Sequence, residues 1–151
     1  SRRAKSIEGL ETFDAANLEA FLGRTDILVG LLPLTDNTRG IYDRPLFSRL
    51  RRTGPLGGPI FLNAGRGGSQ KEADLIACLA DGTLKAASLD VFEKEPLDPE
   101  SPLWSMPNVI VTPHAAAASD VRALFRHVEA QIARLEAGLP LEFVVDRVSG
   151  Y

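Results

Sequence analysis

A short, almost unbroken apolar run is the feature that most constrains the fold of this chain. Residues 27–32 read Ile-Leu-Val-Gly-Leu-Leu, follow Asp26 and end at Pro33. A strand with one solvent-facing side alternates apolar and polar residues, whereas a strand covered on both faces is apolar throughout. Strands of the second kind occur in parallel sheets, where crossover helices connect them. The run therefore predicts a buried strand in an α/β sheet.

Further strand and helix signals alternate along the chain. Residues 7–13 form a weak strand candidate, and Asp14 can cap a short helix after it. Asp43 can cap the next helix, and Ser69 with Glu72 has the spacing of a capping box for a third. The remaining signals predict strands at residues 60–62, 84–91 and 108–112 and a long helix at residues 119–137. This alternation predicts a doubly wound, Rossmann-like parallel sheet.

Composition narrows the class of protein and its partners. The chain of 151 residues has 44% hydrophobic and 25% charged residues and a formal net charge of −3, which is typical of a globular protein. Such a charge offers no basic surface for nucleic acid, and no apolar stretch is long enough to span a membrane. We therefore expect neither as a partner. A single cysteine, Cys78, cannot form an internal disulfide, so the expected location is the reducing cytoplasm.

Charged residues follow the predicted strands, where doubly wound sheets bind their ligands. Arg66, Glu95 and His114 each follow a different strand. An arginine pairs bidentately with a carboxylate, and an imidazole, which ordinarily titrates at about pH 6.5, can donate a proton to a carbonyl oxygen. A neighbouring carboxylate would orient the ring and favour its charged form. Each residue alone is better explained as a surface charge or a turn residue, but together they suit carbonyl reduction.

Four segments in this order resemble the consecutive signatures of the D-isomer-specific 2-hydroxyacid dehydrogenases. They are residues 63–67 (Asn-Ala-Gly-Arg-Gly), 89–97, 101–104 and 111–114, with 29 residues from Arg66 to Glu95 and 19 from Glu95 to His114. More narrowly, the chain resembles the bacterial glyoxylate/hydroxypyruvate reductase A group over nearly its whole length. The resemblance implies an oxidoreductase that reduces glyoxylate or hydroxypyruvate to the 2-hydroxy acid with NADPH or, less favoured, NADH. It also implies a homodimer for the complete protein.

The resemblance assigns roles to particular residues. It implies that Arg66 binds the substrate carboxylate and carbonyl, that His114 donates the proton and that Glu95 pairs with His114. It implies a cofactor-binding set of Asn63, Ala64, Arg66, Asp90 and His114 at the nicotinamide end and Leu32, Pro33 and Thr38 on the adenosine and phosphate side. Ser1, Arg2 and Arg3 would hold a ribose 2′-phosphate, which favours NADPH. Alternatively, these three residues are only a frayed basic terminus without a role in binding. No metal site is expected.

The glycine-rich phosphate loop of a dinucleotide-binding unit, G-x-G-x-x-G after the first strand, does not occur in the sequence. Residues 65–68 (Gly-Arg-Gly-Gly) have a different spacing. In the family that loop and its strand come before the position of Ser1. We therefore expect residues 1–118 to form a partial dinucleotide-binding domain, with residues 119–151 as a helix and tail returning toward an absent substrate domain. The incomplete sheet would leave residues 27–32 as an exposed apolar edge.

Two other functions stay open at the level of sequence. One is a nucleotide-binding interaction module without catalysis, because fold alone does not determine function. The other is an inactive fragment of the dehydrogenase. The presence of Arg66, Glu95 and His114 together argues against the first, since a sensor has no need of a proton donor.

Overall fold

The computed structural model describes residues 8–147. The expected phosphate contacts of Ser1, Arg2 and Arg3 lie outside the described residues. The chain divides into two compact units between His114 and Ala115. The first unit contains the sheet, and the second contains one long helix.

Four parallel strands form a single sheet in the order β1-β2-β3-β4. The strands are β1 (Ile27–Gly30), β2 (Ile60–Asn63), β3 (Ala86–Leu89) and β4 (Val109–Val111). Their last residues lie side by side, because Gly30 pairs with Asn63, Asn63 with Leu89 and Leu89 with Val111. The predicted parallel α/β sheet is confirmed, and its carboxyl ends form one straight edge at which the following loops meet.

Short helices follow the predicted start signals. They are α1 (Leu18–Leu22), which a 3₁₀ turn precedes, α2 (Arg44–Phe47) and α3 (Glu72–Ala80). The Asp14 carboxylate accepts from the N–H of Asn17 at 3.1 Å, and that of Asp43 accepts from the N–H of Leu46 at 3.0 Å. Both carboxylates satisfy backbone donors that a helix start leaves unpaired, so the two predicted caps are confirmed.

The hydrophobic core packs against β2, an interior strand of the sheet. Phe61 of β2 is completely buried, and its ring centroid lies 5.0 Å from the centroids of both Tyr42 and Phe47. Burial raises the pKa of Tyr42 to about 12, so its hydroxyl stays neutral. Aromatic pairs at this spacing add to the energy of burial. The loop that follows β2 therefore leaves from a rigid support.

The predicted capping box of the third helix is wrong. Lys71 precedes α3 and makes no side-chain cap. The Ser69 hydroxyl instead donates to the carbonyl of Arg66 at 2.5 Å. Glu72 and Glu93 bond reciprocally, each carboxylate accepting from the other's backbone N–H at 2.5 and 2.8 Å. Tertiary partners thus replaced the local cap, because Glu93 reaches the helix start from the loop after β3.

Two strand predictions also need correction. No strand forms over residues 8–13, where residues 8–9 make a turn with Gly9 at a φ of +74°. Strand β1 is not covered on both faces: Leu28 is buried, but Ile27 and Val29 are 49% and 50% exposed. Within the described residues β1 pairs only with β2, so it lies at the edge of the sheet. The exposed apolar edge expected from the sequence is therefore present.

The second unit is built on α4 (Val121–Glu136). The Asp120 carboxylate caps it by accepting from the N–H groups of Arg122 and Ala123, and Gly138 follows it with a φ of +68°. The long helix predicted from the apolar spacing is confirmed. Of the helices within residues 8–147, none combines the length and hydropathy needed to cross a bilayer.

Candidate active site

Hydrogen bonds tie the carboxyl ends of three strands together. The backbone N–H of Asp90 donates to the carbonyl of Asn63 at 2.9 Å, and that of Thr112 donates to Leu89 at 3.0 Å. The Thr112 hydroxyl also donates to the buried Asp90 carboxylate. Asp90, expected near a nicotinamide, thus lies at the sheet edge with its carboxylate already bonded. These bonds give the following loops a fixed starting geometry.

The structure brings Glu95 and His114 together, although 19 residues separate them in the chain. Nδ1 of His114 lies 2.8 Å from Oε2 of Glu95. The other carboxylate oxygen of Glu95 accepts from the N–H of Phe92 at 3.0 Å, which fixes the carboxylate. His114 has a backbone φ of +54°, a region that few residues other than glycine adopt. Such strain persists only where the surroundings impose it, and it clusters at functional sites.

Electrostatics assign the protons in this pair. The hydrogen bond from His114 holds the pKa of the Glu95 carboxyl below its usual range. Partial burial raises this pKa, and the hydrogen bond from the N–H of Phe92 lowers it further. Glu95 is therefore ionised at neutral pH and can only accept hydrogen bonds. Nδ1 of His114 must then carry a proton, which leaves Nε2 as the ring atom that can exchange one. The side chains of His114 and Glu95 are 52% and 38% exposed, so a ligand can reach Nε2 of the ring.

Arg66 lies at the same edge, in the loop after β2. Its side chain is exposed, and its Nη1 donates to the carbonyl of Gly65 at 2.8 Å. Arg66 forms no ion pair with any residue from 8 to 147. The structure does not place it in contact with Glu95 or His114, so the three predicted residues share one edge while only two of them touch. An exposed guanidinium without a carboxylate partner can bind an anionic ligand.

A close backbone contact joins the Arg66 loop to the Glu95 loop. Gly67 is buried, and a Cβ built on it would overlap the carbonyl of Phe92 and lie 2.6 Å from its N. Only glycine allows the two chains to approach so closely. Phe92 is the residue whose N–H holds Glu95. The position of Arg66 is therefore coupled through Gly67 and Phe92 to the position of Glu95.

A buried amide pair supports the same two loops from below. Nδ2 of Asn63 donates to Oε1 of Gln70 at 2.8 Å, and Nε2 of Gln70 donates to the carbonyl of Val91 at 3.1 Å. Oδ1 of Asn63 accepts from the N–H of Gly65 at 3.1 Å. Asn63 and Gln70 are both 1% exposed. Asn63, expected beside the cofactor, thus uses its side chain to shape the loop that carries Arg66.

The sheet edge carries exposed apolar residues at the ends of β1 and β2. Leu32 is 40% exposed, and Pro33 and Ala64 are exposed beside it at the ends of β1 and β2. Gly65 lies close to β1, since a Cβ there would be 3.1 Å from Cα of Leu31. The loop after β2 therefore packs directly against the end of β1. An open apolar surface at the carboxyl edge of a parallel sheet is where dinucleotides bind in doubly wound folds.

Thr38 has a structural task within this surface. Its hydroxyl donates to the carbonyl of Pro33 at 2.6 Å and accepts from the N–H of Thr35 at 2.8 Å. These bonds close the turn that follows β1. Any contribution of Thr38 to a cofactor site would therefore act through the shape of that turn or through its remaining surface.

A cavity of about 340 Å³ opens beside the Glu95–His114 pair. A hydrogen bond of 2.9 Å from Nε1 of Trp104 to the carbonyl of Asp98 fixes one of its walls. Its volume is at the lower end for small-molecule sites. The cavity is lined by Phe92, Glu95, Pro96, Leu97, Trp104, Val111, Thr112, Pro113 and His114. Within the described residues no cluster of three or more His, Cys, Asp or Glu could hold a metal ion.

Sequence reasoning missed Gly67, Gln70 and Phe92. Gly67 stands in a glycine-rich segment, so its position next to Arg66 was a usable signal for a close approach. Gln70 is one polar residue before a helix, and Phe92 is one apolar residue after a strand. Neither pattern indicates a role, because each residue has one of its contacts more than 20 positions away in the chain, Gln70 with Val91 and Phe92 with Gly67.

Comparison with known proteins agrees with this geometry. Residues 1–116 match the model of the D-isomer specific 2-hydroxyacid dehydrogenase, NAD binding domain. The chain therefore belongs to the D-isomer-specific 2-hydroxyacid dehydrogenase family, and the resemblance noted in the sequence is confirmed.

Among curated proteins, the chain is similar to glyoxylate/hydroxypyruvate reductase A of Salmonella choleraesuis. The two are 43% identical over 152 residues, covering 100% of this chain and 47% of the relative. The chain thus spans about half the length of the curated relatives it matches.

Among solved structures, the chain is similar to the NADPH-dependent glyoxylate/hydroxypyruvate reductase of Sinorhizobium meliloti in complex with NADP and sulfate. Identity is 69% and the TM-score is 0.96, over 100% of this chain and 48% of that one. A D-isomer specific 2-hydroxyacid dehydrogenase of Xanthobacter autotrophicus Py2 in complex with NADPH and MES is 42% identical with a TM-score of 0.92, over 100% of this chain and 61% of that one. The sheet therefore has the fold of the NAD binding domain of this family.

Proposed function

We propose that this chain carries the cofactor-binding part and the proton-donating pair of an NADPH-dependent reductase for small 2-oxo acids, with glyoxylate and hydroxypyruvate as substrates. The observation that carries the proposal is the hydrogen bond from His114 to an ionised Glu95, at the same sheet edge as the exposed Arg66. The names of the relatives in Salmonella and Sinorhizobium support the substrate class.

Each residue of the site has one chemical task in this proposal. The Arg66 guanidinium binds the substrate carboxylate and stabilises negative charge on the carbonyl oxygen. His114 delivers a proton from Nε2 to that oxygen during reduction and removes it in the reverse reaction. Glu95 accepts from Nδ1, holds the ring in place and stabilises its protonated form.

The cofactor is proposed from the fit of the sheet edge and from the complexes of the similar structures. Leu32, Pro33 and Ala64 would contact the dinucleotide, and Asp90 and Asn63 would support its nicotinamide end. When bound, a reduced nicotinamide supplies the hydride that the carbonyl carbon needs. Ser1, Arg2 and Arg3 remain proposed ligands of a 2′-phosphate.

A turnover assay on the full natural polypeptide that contains these residues tests the function. NADPH absorbance is followed with glyoxylate, with hydroxypyruvate and with glycolaldehyde, a carbonyl compound of similar size without a carboxylate. We expect rapid oxidation of NADPH with the two 2-oxo acids and little with glycolaldehyde, because Arg66 needs an anionic partner. NADPH binding without turnover of any of them would contradict the proposal and favour a nucleotide-binding module.

Removing the charge of Glu95 is expected to change the pH dependence of reduction. Glu95→Gln keeps an acceptor for the N–H of Phe92 but no longer stabilises a protonated ring. Reduction requires the protonated ring, so the basic limb of the kcat/KM profile should move to lower pH. The loss of rate should therefore grow as the pH rises and be smallest in acid.

The matched control for that variant is Glu100→Gln, which removes one carboxylate from the exposed loop that also contains Glu95. Its profile should coincide with that of the unmodified protein. The pH profiles of kcat/KM for Glu95→Gln and for the unmodified protein could instead have the same shape and differ only in magnitude. That result would show that Glu95 does not act by stabilising the charged ring.

The finer organisation is part of the same proposal. We assign residues 1–118 to a partial dinucleotide-binding domain and residues 119–151 to a helix and tail that return toward a substrate domain. A homodimer in the cytoplasm is the proposed state of the complete protein, without nucleic acid or membrane as a partner. The buried, unpaired Cys78 is consistent with a reducing compartment.

A further inference from the structure

Gln70 occupies an unusual place between the two loops of the site. Its side chain is 1% exposed, although it carries both a donor and an acceptor. Backbone bonds fix its position, because the N–H of Tyr42 donates to Ser69 at 2.9 Å and that of Lys71 donates to Tyr42 at 3.0 Å. Buried polar side chains are costly unless they are fully bonded. The cost of burying the Gln70 amide is therefore offset by the bonds that its oxygen and its nitrogen make.

One end of the Gln70 amide serves the Arg66 loop. Oε1 accepts from Nδ2 of Asn63 at 2.8 Å, and the same Nδ2 lies 3.3 Å from the carbonyl of Arg66. Oδ1 of Asn63 faces the N–H of Gly65 at 3.1 Å. Gln70 thus sets the orientation of the Asn63 amide. That amide in turn fixes the backbone N–H of Gly65 and the backbone carbonyl of Arg66.

The other end serves the Glu95 loop. Nε2 of Gln70 donates to the carbonyl of Val91 at 3.1 Å. Val91 is 1% exposed and precedes Phe92, whose N–H donates to Glu95 at 3.0 Å. Glu95 in turn bonds to His114 at 2.8 Å. A continuous series of bonds therefore runs from the Arg66 loop through Gln70 to the ring of His114.

We propose that Gln70 is a positioning residue, which sets the anion-binding Arg66 at a fixed separation from the proton-donating His114. The proposal rests on the reductase function proposed above. An amide of this length both accepts from Asn63 and donates to Val91, whereas an ionised carboxylate cannot donate and an apolar side chain can do neither. Within the described residues no buried side-chain nitrogen or oxygen lacks a partner. Removal of Gln70 would take one hydrogen bond from Nδ2 of Asn63 and one from the carbonyl of Val91.

The first test is Gln70→Met in the full natural polypeptide. Methionine fills a similar volume without hydrogen bonds, so the core stays filled while Asn63 and Val91 each lose their bond to Gln70. We expect kcat/KM for glyoxylate to fall by about 10- to 100-fold, chiefly in kcat, because small misplacements of reacting groups carry penalties of this size. Gln131→Met, at the other glutamine of the chain, is the matched control and should leave kcat unchanged. A kcat for Gln70→Met within about 2-fold of the unmodified protein overturns the proposal.

The second test is Gln70→Glu, which separates positioning from simple support of the fold. The new carboxyl is buried and lies near Glu72, whose carboxylate interacts with the Gln70 amide, so its charged form is disfavoured. In its protonated form it accepts from Asn63 and donates to Val91, which restores both bonds. The ratio of variant to unmodified kcat/KM should therefore rise by about 10-fold from about pH 8 to about pH 6. A ratio independent of pH overturns the positioning role.

Hydrogen exchange gives a readout that does not depend on turnover. If Gln70 joins the loops, Gln70→Met should speed exchange at the N–H groups of both Gly65 and Phe92, while Val29 in β1 is unchanged. Faster exchange at neither or at only one loop contradicts the link. If the unmodified protein reduces no 2-oxo acid, the proposed function fails, and the exchange measurement still decides whether Gln70 couples the two loops.

Discussion

Replacing His114 with alanine in the full natural polypeptide is expected to lower kcat for glyoxylate reduction by about 10²- to 10⁴-fold, the usual contribution of general acid catalysis. In the proposed mechanism the proton comes from Nε2, because Glu95 accepts at Nδ1 and is itself ionised. Steady-state kinetics with NADPH measure the effect. Binding of NADPH, followed by its fluorescence, should change far less than kcat, because His114 is only one of the proposed cofactor contacts.

Two further variants make this prediction specific to the ring. His114 has a φ of +54°, and asparagine tolerates that backbone better than alanine does. His114→Asn should therefore be as inactive as His114→Ala; recovered activity would assign the loss to backbone strain. His127→Ala alters the other histidine of the chain, which lies on α4 with its ring 5.5 Å from that of Phe143. It should leave kcat unchanged, and full activity of His114→Ala would refute the assigned role.

The features that sequence predicts well are those fixed by neighbours in the chain. The apolar run of β1 and the caps at Asp14 and Asp43 depend on residues within a few positions, so the local sequence is enough to predict them. The pairing of Glu95 with His114 was also predictable. Both follow parallel strands, and the register brings the ends of those strands to one edge.

The features that sequence predicts poorly depend on partners far along the chain. Ser69 and Glu72 have the spacing of a capping box, but Glu93 reaches the helix start and takes over the role of the local cap. Gln70 has no local signal, because it bonds the last residue of β2 and, 21 positions along the chain, the carbonyl of Val91 in the loop after β3. The apolar run of β1 does not reveal that one of its faces is open, since coverage depends on which elements pack there.

The close approach of Gly67 to Phe92 carries the largest structural prediction. Gly67 is buried, and its missing Cβ leaves just enough room for the peptide of Phe92. In Gly67→Ala one of the two backbones must move, because neither is the flexible end of a side chain. Overpacking of this kind costs about 1–3 kcal/mol of unfolding free energy. The movement also displaces the N–H that holds Glu95.

Gly67→Ala is therefore expected to lose stability and activity together, with kcat/KM for glyoxylate reduced by about 10²-fold or more. Urea unfolding and steady-state kinetics on the full natural polypeptide measure the two effects. The matched control is Gly23→Ala, where φ is −63° and the new Cβ would lie 3.4 Å from the carbonyl oxygen of Glu19, an ordinary contact. That variant should be as stable as the unmodified protein or slightly more so, because alanine restricts the unfolded chain. Equal stability together with equal activity of the two variants would contradict the close approach, whereas a stable but inactive Gly67→Ala would place its whole effect in the geometry of Arg66 and Glu95.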